Sequence, residues 1–160
     1  MNTDPHKSLV SALGRVPSGI FVLTLARDGV ETGMLASWVQ QCAFTPPMIS
    51  FVIQRGRPIG DLLPIGAVCT LNILEAAQTD MIAHFGKGFA FTEDAFIGLD
   101  LQRVPPHGPI LEEAHAYLYV KVTDRIPAGD HELFLAEVTA GSLLEDGQPM
   151  VHVRKNGFHY

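Results

Sequence analysis

Turn signals recur along this chain at short intervals, and they limit its fold more than any other feature. Asp28-Gly29 separates two apolar runs and is a standard hairpin dipeptide. Pro46-Pro47 cannot donate ladder hydrogen bonds and marks another turn. Pro127-Ala128-Gly129-Asp130 joins the two longest alternating runs, and Glu145-Asp146-Gly147 follows them. Between these points lie strand-like runs: Ile20–Ala26, a return strand from Val30, Met48–Ile53, Ala67–Leu74, Ala114–Ile126 and His131–Ala140. Asn156-Gly157 predicts a terminal hairpin over Met150–Tyr160. Tight connections between successive strands favour an antiparallel barrel over a parallel sheet with crossover helices.

Helices are few. Asp4-Pro5 predicts a helix start, with Asp4 as N-cap and Leu9, Val10 and Leu13 on one face until Gly14–Gly19 ends it. Pro58–Leu63 and Ala76–Phe85 predict two more, the second stopped by Gly86-Lys87-Gly88. Phe89–Gly108 has no sustained periodicity and reads as an irregular excursion with one short strand near Leu99–Val104. There are no internal repeats, so 160 residues are expected to form a single domain over residues 1–160.

Composition excludes some functions. A net charge of −6 argues against nucleic-acid binding, which needs clustered Lys and Arg. No apolar run reaches the length of a membrane span, and Met1–Lys7 lacks an apolar signal region, so a cytoplasmic protein is expected. Only 18% of residues are charged, which would suit a chain that covers apolar surface in an oligomer. Cys42 and Cys69 show no metal-like spacing and read as two buried free thiols. The seven histidines never take the spacing of a zinc helix, so no metal is expected. No Gly-x-Ser-x-Gly or Gly-x-Gly-x-x-Gly is present, and Glu112-Glu113 reads as a solvated turn.

Three places carry chemistry. Gly33–Pro47 is neither a clean strand nor a helix, and reads either as a kinked or bulged strand or as backbone opened toward a planar ligand. Gln54-Arg55-Gly56-Arg57 offers two guanidinium groups beside flexible backbone, suited to one phosphate or to plain solvent exposure. Phe85-Gly86-Lys87-Gly88 adds another cation, and His131 stands at a strand start where an imidazole can orient a ring or a carboxylate.

Taken in order, Leu13-Gly14-Arg15-Val16-Pro17-Ser18-Gly19, Gly33-Met34-Leu35-Ala36-Ser37-Trp38-Val39 and Phe44-x-Pro46-Pro47 resemble the flavin reductase-like family, the FMN-binding split β-barrels. Leu71-Asn72-Ile73-Leu74 and Gly129-Asp130-His131 fall in the expected order. Met34–Val39 and the ending His152–Tyr160 are especially similar to the C-terminal flavin reductase domain of cyanobacterial flavodiiron proteins. The resemblance implies a mainly β, antiparallel Greek-key split barrel, a homodimer, and one FMN per subunit near the interface. It implies that Met34, Leu35, Ala36, Ser37, Trp38, Gln40 and Gln41 line the flavin. It assigns Gln54, Arg55 and Arg57, with Phe85, Gly86 and Lys87, to the ribityl phosphate, and His131 to nicotinamide or substrate contact. Trp38 is either a ring neighbour or a core or interface anchor. Leu35 and Gln41 stand where many members carry hydroxyl residues. The implied activity is hydride transfer from NADH or NADPH to FMN. The alternative is a flavoredoxin-like carrier that exchanges electrons with a redox protein partner, with a flavin- or haem-binding sensor ranked third.

Overall fold

The computed structural model describes residues 4–159. Helix α1 spans Pro5–Leu13 and starts as the sequence predicts: Asp4 Oδ1 accepts from the His6 amide at 3.0 Å. None of its side chains is buried, and the C-terminal tail at Gly157 and Phe158 lies against it.

A short strand β1 (Ser18–Gly19) leads into β2 (Phe21–Arg27), β3 (Val30–Ala36), β4 (Val39–Phe44) and β5 (Pro47–Gln54). After helix α2 (Pro58–Asp61) come β6 (Val68–Ile73), helix α3 (Thr79–Gly86), and the two-residue strands β7 (Leu101–Gln102) and β8 (Ile110–Leu111). The long hairpin β9 (Ala116–Ala128) and β10 (His131–Leu143) and a last short strand β11 (Val151–His152) complete the chain.

Seven strands form one antiparallel sheet in the order β3-β2-β6-β9-β10-β5-β4. Its two edge strands, β3 and β4, are consecutive in the chain, with only Ser37 and Trp38 between them. Three peptide steps reach about 10 Å at most. A flat seven-stranded sheet would hold its edges about 30 Å apart. The sheet therefore curls until its edges face each other, without closing the ladder between them. This is a barrel split at one seam, and the seam lies at Ser37-Trp38.

The barrel interior is filled by Leu23, Leu25, Ile49, Leu71, Val120, Val122 and the stacked rings of Phe51 and Phe134, 5.1 Å apart. A second cluster outside it, with Val22, Leu74, Met81, Phe85 and Phe96, seats α3. The excursion from 89 to 111 is fastened by a buried polar clamp. Thr24 and Thr70 hydroxyls donate to the Pro109 and Gly108 carbonyls at 2.6 and 2.7 Å. Asn72 Nδ2 donates to Val22 O, and Asn72 Oδ1 accepts from Leu111 N at 2.9 Å.

Some elements differ from the sequence reading. The terminal hairpin does not form among the described residues: β11 pairs with β1, and Gly157 N donates to Val10 O at 2.9 Å. Gly157 lies against α1, where a Cβ would fall 2.8 Å from the Val10 carbonyl. Asn156-Gly157 is thus a docking point of the tail, and Tyr160 lies outside the described residues. Cys42 is exposed rather than buried, on a β4 bulge that turns it outward; only Cys69 is buried. Helix α3 begins at Thr79 rather than Ala76 because Glu75 Oε2 and Gln78 Oε1 take the local amides into a turn. The β9–β10 strands run longer than predicted, leaving Gly129-Asp130 alone as the turn, with Gly129 at φ 62°. No helix among the described residues is long and apolar enough to cross a membrane.

Candidate functional site

The seam is where the sheet gives up its ladder, so polar backbone and side chains there are available to a ligand. β3 ends at Ala36, and β4 starts at Val39 and bulges again between Gln41 and Ala43. Gly33–Pro47 is therefore both kinked and bulged. Val52 N donates to Trp38 O at 3.1 Å, which carries the β4–β5 ladder one residue back toward the break.

Two connected hollows flank the break. The narrower, about 110 Å³, is lined by Met34, Leu35, Ala36, Ser37, Val52, Gln54, Arg57 and Gly86. The wider, about 450 Å³, runs along Ser37–Gln40, Ser50 and Val52, with Val16–Gly19 and Val151 as its far wall. Ser37 and Val52 border both, so the two form one groove. The wider part alone falls within the range of small-molecule sites, about 300–1,000 Å³.

Arg57 closes the narrow end, with its guanidinium against the backbone of Gly88, where a Cβ would lie 2.8 Å from Nη1. No side-chain hydrogen bond or ion pair engages Arg57 or the Ser37 hydroxyl among the described residues. A cation at one end and a hydroxyl in the middle of a mostly apolar groove suit a flat ring that carries a phosphate tail.

The other predicted residues are placed unevenly. Arg55 is exposed and borders a separate hollow of about 80 Å³ with Asp61, Arg125 and Glu132, which Arg57 and Gln54 also reach. Its amide donates to Asp130 O at 3.0 Å, tying the loop to the β9–β10 turn. Phe85 is 1% exposed and belongs to the outer cluster, so only the backbone beside Gly86 approaches the groove. Lys87 is exposed, with Nζ 4.7 Å above the Phe89 ring. Gln41 is exposed and its Nε2 donates to Ala43 O at 3.4 Å, whereas Gln40 borders the wide hollow.

Trp38 lies between an imidazole and a guanidinium. Its ring centroid lies 4.9 Å from that of His131, tilted by 44°, and 5.0 Å from the Arg154 guanidinium. It is a groove wall and a packing anchor at once. His131 is 8% exposed and reaches the groove through Trp38 rather than lining it. Its Nδ1 sits 2.7 Å from Asp130 Oδ1, and this hydrogen bond holds the Asp130 carboxyl below its ordinary range.

Sequence reasoning missed Ser50, Val52, Val16–Gly19 and Val151. The first two were within reach: strand alternation puts residues 50 and 52 on the face of Gln54, opposite the buried Ile49, Phe51 and Ile53. The others are brought in only by the β1–β11 pairing. Among the described residues, no three His, Cys, Asp or Glu side chains converge on a metal position.

The fold and the groove define a class: a split antiparallel barrel domain with an open groove along its seam. Residues 13–159 match the family model described as a flavin reductase like domain, and the chain belongs to that family. It is 38% identical over 150 residues to putative diflavin flavoprotein A 3 of Synechocystis sp., covering 93% of this chain and 25% of that protein. It is 36% identical to diflavin flavoprotein A 1 of the same organism, over 95% of this chain and 27% of the other. The chain thus spans about a quarter of the length of the curated relatives it matches. Among solved structures, the NADH:FAD oxidoreductase SgcE6 of Streptomyces globisporus C-1027 superposes with a TM-score of 0.82 at 22% identity, over 96% of this chain and 92% of that one. The styrene monooxygenase flavin reductase SMOB of Pseudomonas putida S12 gives 0.75 at 23% identity, over 89% and 90%. At these identities the structures speak to the fold.

Proposed function

We propose that this chain is an NAD(P)H-dependent flavin reductase domain that holds FMN in the seam groove. The observation that carries this is the groove itself: apolar walls, an unengaged Ser37 hydroxyl at its middle and an unengaged Arg57 guanidinium at its narrow end. Arg57, with Gln54 and the backbone at Gly86, would take the phosphate. Ser37 and the backbone of residues 34–38 would meet the hydrogen-bonding edge of the ring, and Val52 and Trp38 would exclude water from it. When bound, the flavin supplies the redox chemistry, accepting a hydride from nicotinamide at N5. The protein's share is orientation and electrostatics. Asp130 fixes the His131 imidazole, which in turn sets the Trp38 ring at the place where nicotinamide would enter.

SgcE6 has been solved with NAD and FAD fragments. For this chain a single phosphate suits the short end closed by Arg57, which favours FMN over FAD. Residues 1–160 would work as one domain, as a homodimer in the cytoplasm. Phe44, 86% exposed on the edge strand β4, supports pairing with a second copy. A separate redox protein would take the electrons onward.

The test is anaerobic. Purified protein with about one FMN per chain should bleach on addition of NADH or NADPH. Bound flavin that neither nucleotide bleaches would overturn the reductase reading and leave the flavoredoxin-like carrier.

A further inference from the structure

The chain is acidic, yet one wall of the groove is not. Residues 5–20 and 149–159 contain no Asp or Glu, although the whole chain has 17 acids. The same two segments carry Lys7, Arg15, Arg154 and Lys155, together with His6, His152 and His159. They are far apart in sequence but adjacent in space. β1 pairs with β11, and a Cβ on Gly14 would lie 2.9 Å from Arg154 O and 3.1 Å from Asn156 N. None of the four Lys and Arg side chains has an ion-pair partner among the described residues. Elsewhere guanidiniums such as Arg103 and Arg125 are held by Glu31 and Glu132.

This wall borders the wide end of the groove. Val16–Gly19 and Val151 line the hollow, Arg15 immediately precedes that lining, and Arg154 rests on the Trp38 ring at its rim. The His131 ring that also meets Trp38 is bonded to the exposed Asp130 carboxylate, which Arg55 in turn faces. The uncompensated cations of the groove wall at the wide end are therefore those of residues 5–20 and 149–159.

We propose that the wall formed by Arg15, Arg154 and Lys155 seats the diphosphate of the nicotinamide dinucleotide. This rests on the reductase reading above. A nicotinamide ring that enters the wide end trails its diphosphate over the rim, and the cationic wall receives it. An acidic protein partner is the competing occupant, but the cations border a hollow sized for a small molecule, and Arg154 is stacked on the groove's own wall.

The measurement compares wild type with Arg15→Gln/Arg154→Gln and Arg15→Gln/Arg154→Gln/Lys155→Gln, each checked for FMN content and melting temperature. Lys121→Gln, a cation on β9 outside these segments, controls for net charge. KM for NADH should rise about 5- to 10-fold with kcat nearly unchanged, and Arg15→Lys/Arg154→Lys should restore it. The rise should shrink with added salt. Reduced nicotinamide mononucleotide, which lacks the diphosphate bridge, should show a much smaller change. ADP-ribose binding gives a readout without turnover: Trp38 is the only tryptophan, so its emission should respond, with weaker binding in the variants. If NADH and NADPH both fail to bleach wild type, the reductase reading falls, and an ADP-ribose affinity that the variants leave unchanged overturns the wall as well. If wild type turns over and KM stays unchanged in the variants, the wall alone is overturned. Variants that slow only an acidic protein acceptor, or that only shift the oligomeric state, likewise overturn it.

Discussion

Arg55 and Arg57 look equivalent in sequence, separated by one glycine, and they are not equivalent in the fold. Arg57 turns into the groove beside Gly88, whereas Arg55 faces the small hollow with Arg125 and Glu132. Arg57→Ala should weaken FMN about 10- to 100-fold while leaving riboflavin affinity nearly unchanged, and Arg55→Ala should do much less. Fluorescence titration of both ligands against both variants checks this; equal loss of FMN and riboflavin would remove the phosphate role. His131 is a positioning residue acting through Trp38. His131→Ala should slow flavin reduction about tenfold in stopped flow with FMN affinity little changed, and loss of FMN itself would point to a structural role instead. Cys69 needs no chemistry: burial pushes its thiol up to about 12, so it stays protonated and inert at neutral pH.

At the scale of elements, the seam and the clamp are two sides of one problem. A barrel that leaves its β3 and β4 edges unpaired needs its remaining strands fixed from elsewhere. Asn72 near the end of β6 does part of this by holding the 109–111 loop against β2. Asn72→Ala removes several bonds and strands the buried Leu111 amide, for an expected loss of about 2–3 kcal/mol measured by denaturant unfolding. Gly33 plays a similar part on β3, where an added Cβ would sit 3.0 Å from the Phe85 ring and 3.3 Å from Thr24. Gly33→Ala should cost about 1–3 kcal/mol and loosen α3, visible as faster amide exchange in residues 79–86.

For the whole molecule, pH is the simplest probe. The Arg125 guanidinium hydrogen-bonds Glu132 at 2.6 and 3.0 Å and holds its carboxyl below the ordinary 4.5. The folded state then binds fewer protons than the unfolded chain in that range. The stability this adds is whole above about pH 4.5 and is lost as pH falls through the folded value. Asp130, lowered from 3.8 chiefly by His131, acts in the same direction. Glu132→Gln should lower stability at neutral pH by about 0.5–1 kcal/mol and flatten the acid limb of a melting-temperature profile. An unchanged acid limb would show that the pair adds nothing.

The antiparallel barrel was legible because its evidence is local: Asp28-Gly29 and Gly129-Asp130 set hairpins by backbone conformation, and alternation in β5 and β9 sets their faces. That Gly33–Pro47 is irregular was legible too, because neither period runs through it; the break at Ser37-Trp38 was placed by the structure. The turn signal at Asn156-Gly157 misled, since a flexible Asn-Gly serves equally well where a tail must approach a helix backbone closely. Sequence by itself therefore determined most of the long strands, most of their turns and the irregular stretch from 33 to 47, but not that β4 forms inside that stretch or that β11 pairs with β1. Only the tertiary structure decided that Arg57 and not Arg55 faces the groove, that Phe85 is core, and that residues 14–19 and 151–156 form one cationic wall. Those depend on which way a loop side chain points and on contacts between segments more than 130 residues apart, and no local preference encodes either.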